Sequence, residues 1–208
     1  MKTLTTMAAF LLAFGLAVPA VGQDSKGPRE IVRETTDRLF ELVESNREEY
    51  RENPSSLKED IRDILLPKID KMYSGRLVLG RKSRGMEEER IREFADALSD
   101  LLVRRYADGL LEFETRDQVE ILPLAGNNTE RMTQVKTRVR MDTGEQAPVD
   151  YVFHKTDEGW KIFDVIVEGI SYVATFRNQI GEQIDREGFD ATLEKLQAGE
   201  IEVDAGDG

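Results

Sequence analysis

Residues 149–179 read VDYVFHKTDEGWKIFDVIVEGISYVATFRNQ. Apolar and polar side chains alternate before the turn at residues 157–159, and a second apolar run covers residues 160–167. This pattern predicts a two-stranded hairpin. Gly169 ends the second strand, and apolar residues at helical spacing then predict a helix over residues 170–184. The stretch holds many bulky apolar groups and almost no catalytic groups, which favours a protein that binds an apolar ligand.

The chain before this hairpin predicts two further strands. Residues 119–121 open the first, and residues 134–141 alternate apolar or threonine side chains with glutamine, lysine and arginine. That alternation is typical of an antiparallel strand with one face in water. With helices before and after the four strands, the predicted fold is α+β: a curved four-stranded antiparallel sheet with helices packed on one face. Such a cupped sheet encloses an apolar cavity.

Short sequence motifs predict where the helices begin. Gly27-Pro28 predicts a helix start, because proline is tolerated at the first helical position. Ser56 and Glu59 have the spacing of a capping box, which predicts the start of the next helix. The longest helix is predicted over residues 86–111, with three glutamates in its first turn, where negative charge favours the helix dipole.

The N-terminus has the features of a secretory signal peptide. A positively charged start precedes an apolar run over residues 7–18, and small residues follow at Ala20 and Gly22. The run is shorter than the ~20 residues that a membrane-spanning helix needs. We therefore expect cleavage after Ala20 or Gly22 and export of the mature protein.

The domain organisation follows from this reading. We expect a signal peptide over residues 1–22, one domain over residues 23–200 and a flexible acidic tail over residues 201–208. The chain of 208 residues contains no cysteine, so the stability of the exported protein comes from burial alone, without disulfides.

The charge balance excludes several partners. Charged residues make up 34% of the chain, and the formal net charge is −12. Nucleic-acid binding needs a basic footprint, and an anionic membrane surface repels an acidic protein. The acidity suits solubility, and a sharper hypothesis is that it steers the protein towards basic docking faces on partners.

The sequence offers few candidate catalytic residues. The only imidazole belongs to His154, and strand alternation places it on the solvent-exposed face of the sheet. A catalytic base needs a second functional group that converges with it, and the sequence offers none for this histidine. No spacing of histidines and carboxylates predicts a metal site. We therefore predict no catalytic residue, no metal and no cofactor.

The best enzyme alternative uses a strand carboxylate. Asp150 or Asp164 could act as a base in a cavity of the ketosteroid-isomerase type. An ion pair with Arg177 or another basic residue at the sheet edge is the structural alternative, and we favour it because ion pairs also perturb carboxylates. A third possibility is a periplasmic protein-binding adaptor with a filled core.

The sequence resembles the MlaC family, also called toluene-tolerance auxiliary proteins, over about residues 31–196. The segments that carry the resemblance are residues 64–70, 76–80, 101–111, 149–151, 160–171 and 176–179. The chain departs from the family after Gly80. There the family usually carries an aromatic residue followed by a basic one, whereas this chain reads Arg81-Lys82-Ser83-Arg84.

The resemblance implies a periplasmic phospholipid carrier without chemical turnover. Its partners would be an outer-membrane lipoprotein complex and an inner-membrane ABC transporter with an MCE-domain subunit, and it would act as a monomer. Acyl chains would lie between sheet and helices, while Arg177 and Lys161 are expected in structural ion pairs rather than near a phosphate. The predicted lining comprises Leu39, Leu66, Ile69, Leu98, Leu102, Tyr106, Val149, Tyr151, Val165, Val167, Val173 and Phe176.

Overall fold

The computed structural model describes residues 26–112, 115–126, 128–141 and 144–201. The helices are α1 (Pro28–Glu52), α2 (Pro54–Leu65), α3 (Lys71–Leu79), α4 (Glu88–Tyr106), α5 (Tyr172–Glu187) and α6 (Phe189–Ala198). The strands are β1 (Val119–Ile121), β2 (Met132–Arg140), β3 (Gln146–Thr156), β4 (Gly159–Val167) and β5 (Ile170–Ser171). Short 3-10 turns cover Leu66–Lys68, Gly80–Ser83, Asp108–Glu112 and Arg116–Gln118. The predicted signal peptide lies outside the described residues.

The strands form one antiparallel sheet in the order β1-β2-β3-β4-β5. The α+β prediction and the hairpin of β3 and β4 are confirmed, but the sheet has five strands rather than four. The additional strand, β5, consists of two residues that pair with Ile166 and Val167. Two residues are too few to give an alternating pattern, so the sequence predicted only the helix that follows them.

Strand β2 has the predicted alternation. Val135, Thr137 and Val139 are buried, whereas Lys136 and Arg138 between them are exposed. Helix α1 packs over the buried face of β2, because Ile31 and Val32 at its start contact Val135 and Phe153. The sheet therefore has one covered apolar face at this strand, as the sequence pattern requires.

Two helix predictions need correction. Helix α2 begins at Pro54, and no side chain caps its first turn; Ser56 lies inside the helix, where its Oγ accepts a hydrogen bond from Asn53 Nδ2 at 2.8 Å. The predicted capping box is therefore wrong, because the fixed φ of proline suits the first helical position two residues earlier. The longest helix is α1 with 25 residues, whereas α4 has 19 and gives way to a 3-10 turn after Ala107.

Helix α1 is bent near its C-terminal end. Asn46 has φ −126° and ψ 15°, which lie outside the helical region. Its side-chain Nδ2 donates to the carbonyl of Leu42 at 2.9 Å, which satisfies that carbonyl at the bend. The bend turns the end of α1 towards α2, where Tyr50 Oη donates to Asp60 Oδ2 at 2.6 Å.

Most buried apolar residues of the described chain fall into three clusters. The helical cluster comprises Val78, Leu79, Ile91, Phe94, Ala97, Leu98, Leu101, Val173, Phe176, Ile180, Leu193, Leu196 and Ile201. The α1–α2 cluster comprises Val43, Tyr50, Leu57, Ile61, Val103 and Ala107. The sheet cluster comprises Ile31, Val32, Val135 and Phe153.

Ile201 belongs to the helical cluster. The sequence analysis placed this residue at the start of the flexible tail, whereas its side chain is buried. Residues 202–208, the rest of the predicted tail, lie outside the described residues. Within the described ranges, no helix has the length and apolar character that crossing a membrane requires.

Helices α3 and α4 approach closely at Gly75. A Cβ placed on Gly75 would lie 2.9 Å from the Cβ of Ala95 and 3.4 Å from its Cα. Real side chains do not tolerate such a short contact, so glycine at position 75 sets the distance between the two helices.

The tyrosines make the fold sensitive to alkaline pH. Burial, followed by the hydrogen bond to Asp60 and its negative charge, raises the pKa of the Tyr50 hydroxyl, and burial raises the pKa of Tyr151. Folding thus favours the neutral phenols, so their contribution is complete below the unfolded pKa of about 10 and is lost as pH rises above it. We expect urea midpoints of Tyr50→Phe to fall less steeply between pH 9 and 11 than those of the wild type. Equal slopes would contradict this assignment, and the exposed Tyr73→Phe is the control.

Candidate functional site

Four of the predicted lining residues lie side by side on one face of the central hairpin. Val149 is opposite Val167, and Tyr151 is opposite Val165, in the antiparallel register of β3 and β4. Residues two apart along a strand share a face, as do directly opposite residues. All four side chains are half-buried, and they share their face with Phe153 of the sheet cluster. The sheet thus presents an apolar surface that the protein itself covers only in part.

A bulge extends this apolar surface along β4. Val152 pairs with Asp164 while the next residue, Phe153, pairs with Ile162, so Phe163 is the extra residue of β4. The bulge lets Ile162 and Val165 share a face although they are three residues apart. Sequence reasoning missed Ile162 for this reason, because strict alternation places the two side chains on opposite faces.

The other predicted lining residues lie on the helices around the sheet. Leu98, Val173 and Phe176 are buried in the helical cluster, and Leu102 packs against it. Leu39 packs against the α1–α2 cluster. The structure therefore places these residues in two helical clusters rather than on the sheet, with Leu98 and Phe176 buried in the packing at 5% and 2% exposure.

The remaining predicted lining residues lie at the ends of helices or in the connections between them. Leu66 and Ile69 are half-buried in the connection between α2 and α3, and Ile69 forms a parallel bridge with Ile162 of β4. Tyr106, at the end of α4, is 39% exposed, and its ring centroid lies 6.0 Å from that of Tyr172. Tyr172, which begins α5, was not in the predicted lining, and its place beside Tyr106 depends on a tertiary contact that no local pattern reports.

Tyr151 combines two properties that rarely occur together. Burial alone raises the pKa of its hydroxyl, so protein surrounds the ring; yet the side chain keeps accessible surface. Both hold when the ring borders an internal space. No described residue hydrogen-bonds the Tyr151 hydroxyl. Its oxygen keeps contact with solvent, because the buried side-chain atoms without a hydrogen-bond partner in the described chain are Thr35 Oγ1 and Arg62 Nε.

His154 is not on a wet face, and this prediction is corrected. Its side chain is 18% exposed, and Nε2 lies 3.0 Å from Asp70 Oδ2. The ring stacks on Tyr73 with centroids 4.4 Å apart and meets the edge of Phe163. Residues of α3 thus cover His154, and Asp70 Oδ1 also accepts from the Tyr73 amide at 2.9 Å. The imidazole ties α3 to the sheet.

The two strand aspartates also have structural partners. Gln134 Nε2 donates to Asp150 Oδ2 at 2.7 Å. Asp164 accepts from Ser171 Oγ at 2.6 Å and from the Val173 amide at 3.0 Å. These bonds hold the first turn of α5 against β4, because the early amides of a helix lack partners within the helix. The arrangement offers neither carboxylate as a free base.

The expected partner of these aspartates was wrong. Arg177 does not pair with a strand carboxylate; its Nε donates to the carbonyl of Leu77 at 2.6 Å, next to the C-terminal end of α3. Lys161 has the predicted ion pair, with Glu158 Oε2 at 3.2 Å, and it also donates to the carbonyl of Pro67 at 2.9 Å. In the described chain no three histidine or carboxylate side chains converge as a metal site would require.

Asp164→Ala should lower the stability of the protein. The substitution removes two hydrogen bonds to an ionised acceptor and leaves the Ser171 hydroxyl and the Val173 amide unpaired. We expect a loss of about 2 kcal/mol in the free energy of unfolding, measured by urea denaturation. Asp164→Asn keeps an acceptor oxygen and should lose less. Unchanged stability of the alanine variant would contradict a capping role.

Two surface hollows of the described chain lie away from the hairpin. One of about 460 Å³ lies between α5 and α6 and is lined mainly by Gln179, Glu182, Gln183, Arg186, Lys195, Glu200 and Ile201. Its lining shares no residue with the predicted site. Charged walls suit neither acyl chains nor other apolar ligands, so the apolar face of β3 and β4 is the better candidate.

Comparisons with known proteins show the family of this chain. The family model described as MlaC protein matches residues 33–198. The toluene tolerance protein Ttg2D of Pseudomonas putida is 27% identical over 86% of this chain and 83% of its own length. The intermembrane phospholipid transport system binding protein MlaC of Haemophilus influenzae is 25% identical over 94% of this chain and 92% of its own length.

One solved structure shares the fold. It is a phospholipid-binding protein from Ralstonia solanacearum in complex with a phospholipid. The TM-score is 0.74 with 21% sequence identity, and the match covers 84% of this chain and 97% of the other. The likeness extends over helices and sheet together, which confirms the fold class.

Proposed function

Since the chain belongs to the MlaC family, we propose that it binds phospholipid, holds the acyl chains in an apolar pocket between sheet and helices, and carries the lipid between membranes without chemical change. The relatives named above are a phospholipid transport binding protein and a toluene tolerance protein. The solved structure with the same fold holds a phospholipid. These likenesses support a lipid as the cargo.

One observation carries the proposal. Val149, Tyr151, Val165 and Val167 form an apolar face on the central strands that is only half-covered. Apolar side chains at the centre of a sheet gain free energy from being covered, and an apolar ligand would complete the cover that the helices leave open. The division of the buried residues of the described chain into three clusters is compatible with a ligand between them. The predicted lining on the helices borders the same space in this proposal.

The residue types suit a carrier better than an enzyme. Each buried CH₂ gains ~0.8 kcal/mol on leaving water, so a lipid with two acyl chains would bind too tightly to be released into water. The donor and acceptor are bilayers, however, and the pocket need only match the free energy of a bilayer interior. The groups considered as catalytic bases, the two strand aspartates and His154, make structural contacts instead.

The partners and compartment follow from the family. We propose that the signal peptide directs the protein to the periplasm. There it would receive or deliver phospholipid at an outer-membrane lipoprotein complex and at an inner-membrane ABC transporter with an MCE-domain subunit. The net charge of −12 supports basic docking faces on these partners, and association that slows as ionic strength rises would fit this electrostatic steering.

Mass spectrometry of an organic extract tests the proposed cargo. The protein is purified without detergent from the periplasm of its host, and its lipid content is compared with its concentration. We expect phospholipid in about stoichiometric amount, because the pocket would otherwise expose its apolar lining to water. A folded monomer free of lipid, still empty after incubation with phospholipid vesicles, would refute the proposal and favour the adaptor.

A further inference from the structure

The hydroxyl of Tyr151 is a polar group in an otherwise apolar surface. Its ring lies in the middle of β3 between Val135 of β2 and Val165 of β4, which are its partners in the sheet register. It packs against the sheet cluster. The nearest partners along the sheet are thus apolar, and no described residue accepts a hydrogen bond from the hydroxyl.

The Tyr151 hydroxyl keeps contact with solvent in the empty protein, and a ligand bound over it would remove that contact. A polar group removed from water costs free energy unless it forms a hydrogen bond. The pKa of the Tyr151 hydroxyl is raised by burial, so the group remains a neutral donor at physiological pH. A ligand that places an acceptor next to it gains affinity that an apolar ligand of the same size does not.

The surroundings decide which acceptor fits. A phosphate is charged and would lose its hydration between Val135 and Val165, with no described cation hydrogen-bonded to Tyr151 to compensate. A neutral carbonyl costs far less to desolvate. In a glycerophospholipid the ester carbonyls lie where the apolar chains meet the polar headgroup, so a donor in an apolar wall suits them.

We propose that the Tyr151 hydroxyl donates a hydrogen bond to an acyl ester carbonyl of the bound lipid and so makes the protein selective for ester-linked over ether-linked phospholipid. This inference rests on the proposed function, because it assumes that the lipid occupies the space bordered by β3 and β4. It assigns Tyr151 the role of a specificity-determining residue that fixes the depth of the acyl chains.

A competition experiment tests the proposal. Vesicles contain equal amounts of two phosphatidylethanolamines with the same chain length, one with two ester linkages and one with two ether linkages. The protein is incubated with them and re-isolated, and both lipids are quantified by mass spectrometry. We expect the wild type to retain about two- to tenfold more ester lipid, the ratio that one ordinary hydrogen bond gives. Tyr151→Phe should bring the ratio close to one.

The controls separate selectivity from folding and from the proposed function. Tyr151→Phe keeps the ring and removes only the unpaired hydroxyl, so its thermal unfolding should match or exceed that of the lipid-free wild type. Tyr73→Phe makes the same change at an exposed ring and should keep the wild-type ratio. A wild-type ratio of one, or a ratio unchanged in Tyr151→Phe, overturns this inference alone. Absence of both lipids from the re-isolated wild type overturns the proposed function with it.

Discussion

Val165→Asp should remove most of the bound phospholipid, with a decrease of about tenfold or more. Val165 lies opposite Tyr151 on the half-covered apolar face of the hairpin. In the empty protein a carboxylate there keeps contact with water, whereas a lipid would seal it from water without a cationic partner. The cost of burying an unpaired charge is several kcal/mol, which corresponds to more than tenfold in affinity. The measurement is the ratio of lipid to protein in the detergent-free preparation.

The matched control is Met132→Asp, which introduces the same charge at a side chain that is 47% exposed on β2. It should keep the wild-type lipid content. Val149→Asp, on the same face as Val165, should repeat the loss. Thermal unfolding of each variant separates loss of lipid from loss of fold. Folded Val165→Asp protein with unchanged lipid content would remove β3 and β4 from the binding surface.

Gly75→Val should destabilise the protein by about 3 kcal/mol, at the upper end of overpacking costs. The Cβ alone would lie 2.9 Å from the Cβ of Ala95, and valine adds two methyl groups to that contact. Both helices would have to separate, which disturbs the helical cluster on either side. Helix propensity favours valine over glycine, so a measured loss can be assigned to the collision. The readout is the free energy of unfolding from urea titration.

A second substitution checks the cause. Ala95→Gly removes the atom that Gly75→Ala would meet, and alone it should cost about 1 kcal/mol through helix propensity. In the double variant Gly75→Ala, Ala95→Gly, the loss should be smaller than the sum of the two single losses. Strict additivity would show that the close approach of α3 and α4 does not limit the residue at position 75.

The sequence predicted those parts of the molecule that local patterns determine. The turn at residues 157–159 and the alternation along β2 give the antiparallel sheet and its covered face, because side-chain period and turn geometry set the register. The start of α1 was predicted from Pro28 itself, because proline is tolerated at the first helical position. The resemblance to the MlaC family, read from segments spread along the chain, is confirmed by the family model.

Other features depend on contacts that are distant in sequence. His154 is covered because α3, 84 residues earlier, places Asp70 and Tyr73 against it. The bulge at Phe163 inverts the alternation of β4, so the face that holds Val165 also holds Ile162. The partner of Asp164 is the start of α5, seven residues on, where an ion pair was expected. Each depends on three-dimensional packing that periodicity does not encode.

Helix α1 belongs to two of the three clusters. Ile31 and Val32 join its start to the sheet, and Val43 and Tyr50 join its later turns to α2; Ile31 and Val43 are about 18 Å apart along the helix. Helix α4 joins the other pair, since Leu98 and Leu101 belong to the helical cluster while Val103 and the adjoining Ala107 belong to the α1–α2 cluster. A ligand in the proposed pocket that touched all three clusters would add links in parallel with these two helices. Filling the pocket would then raise the cooperativity of unfolding, and the cargo would serve as part of the core.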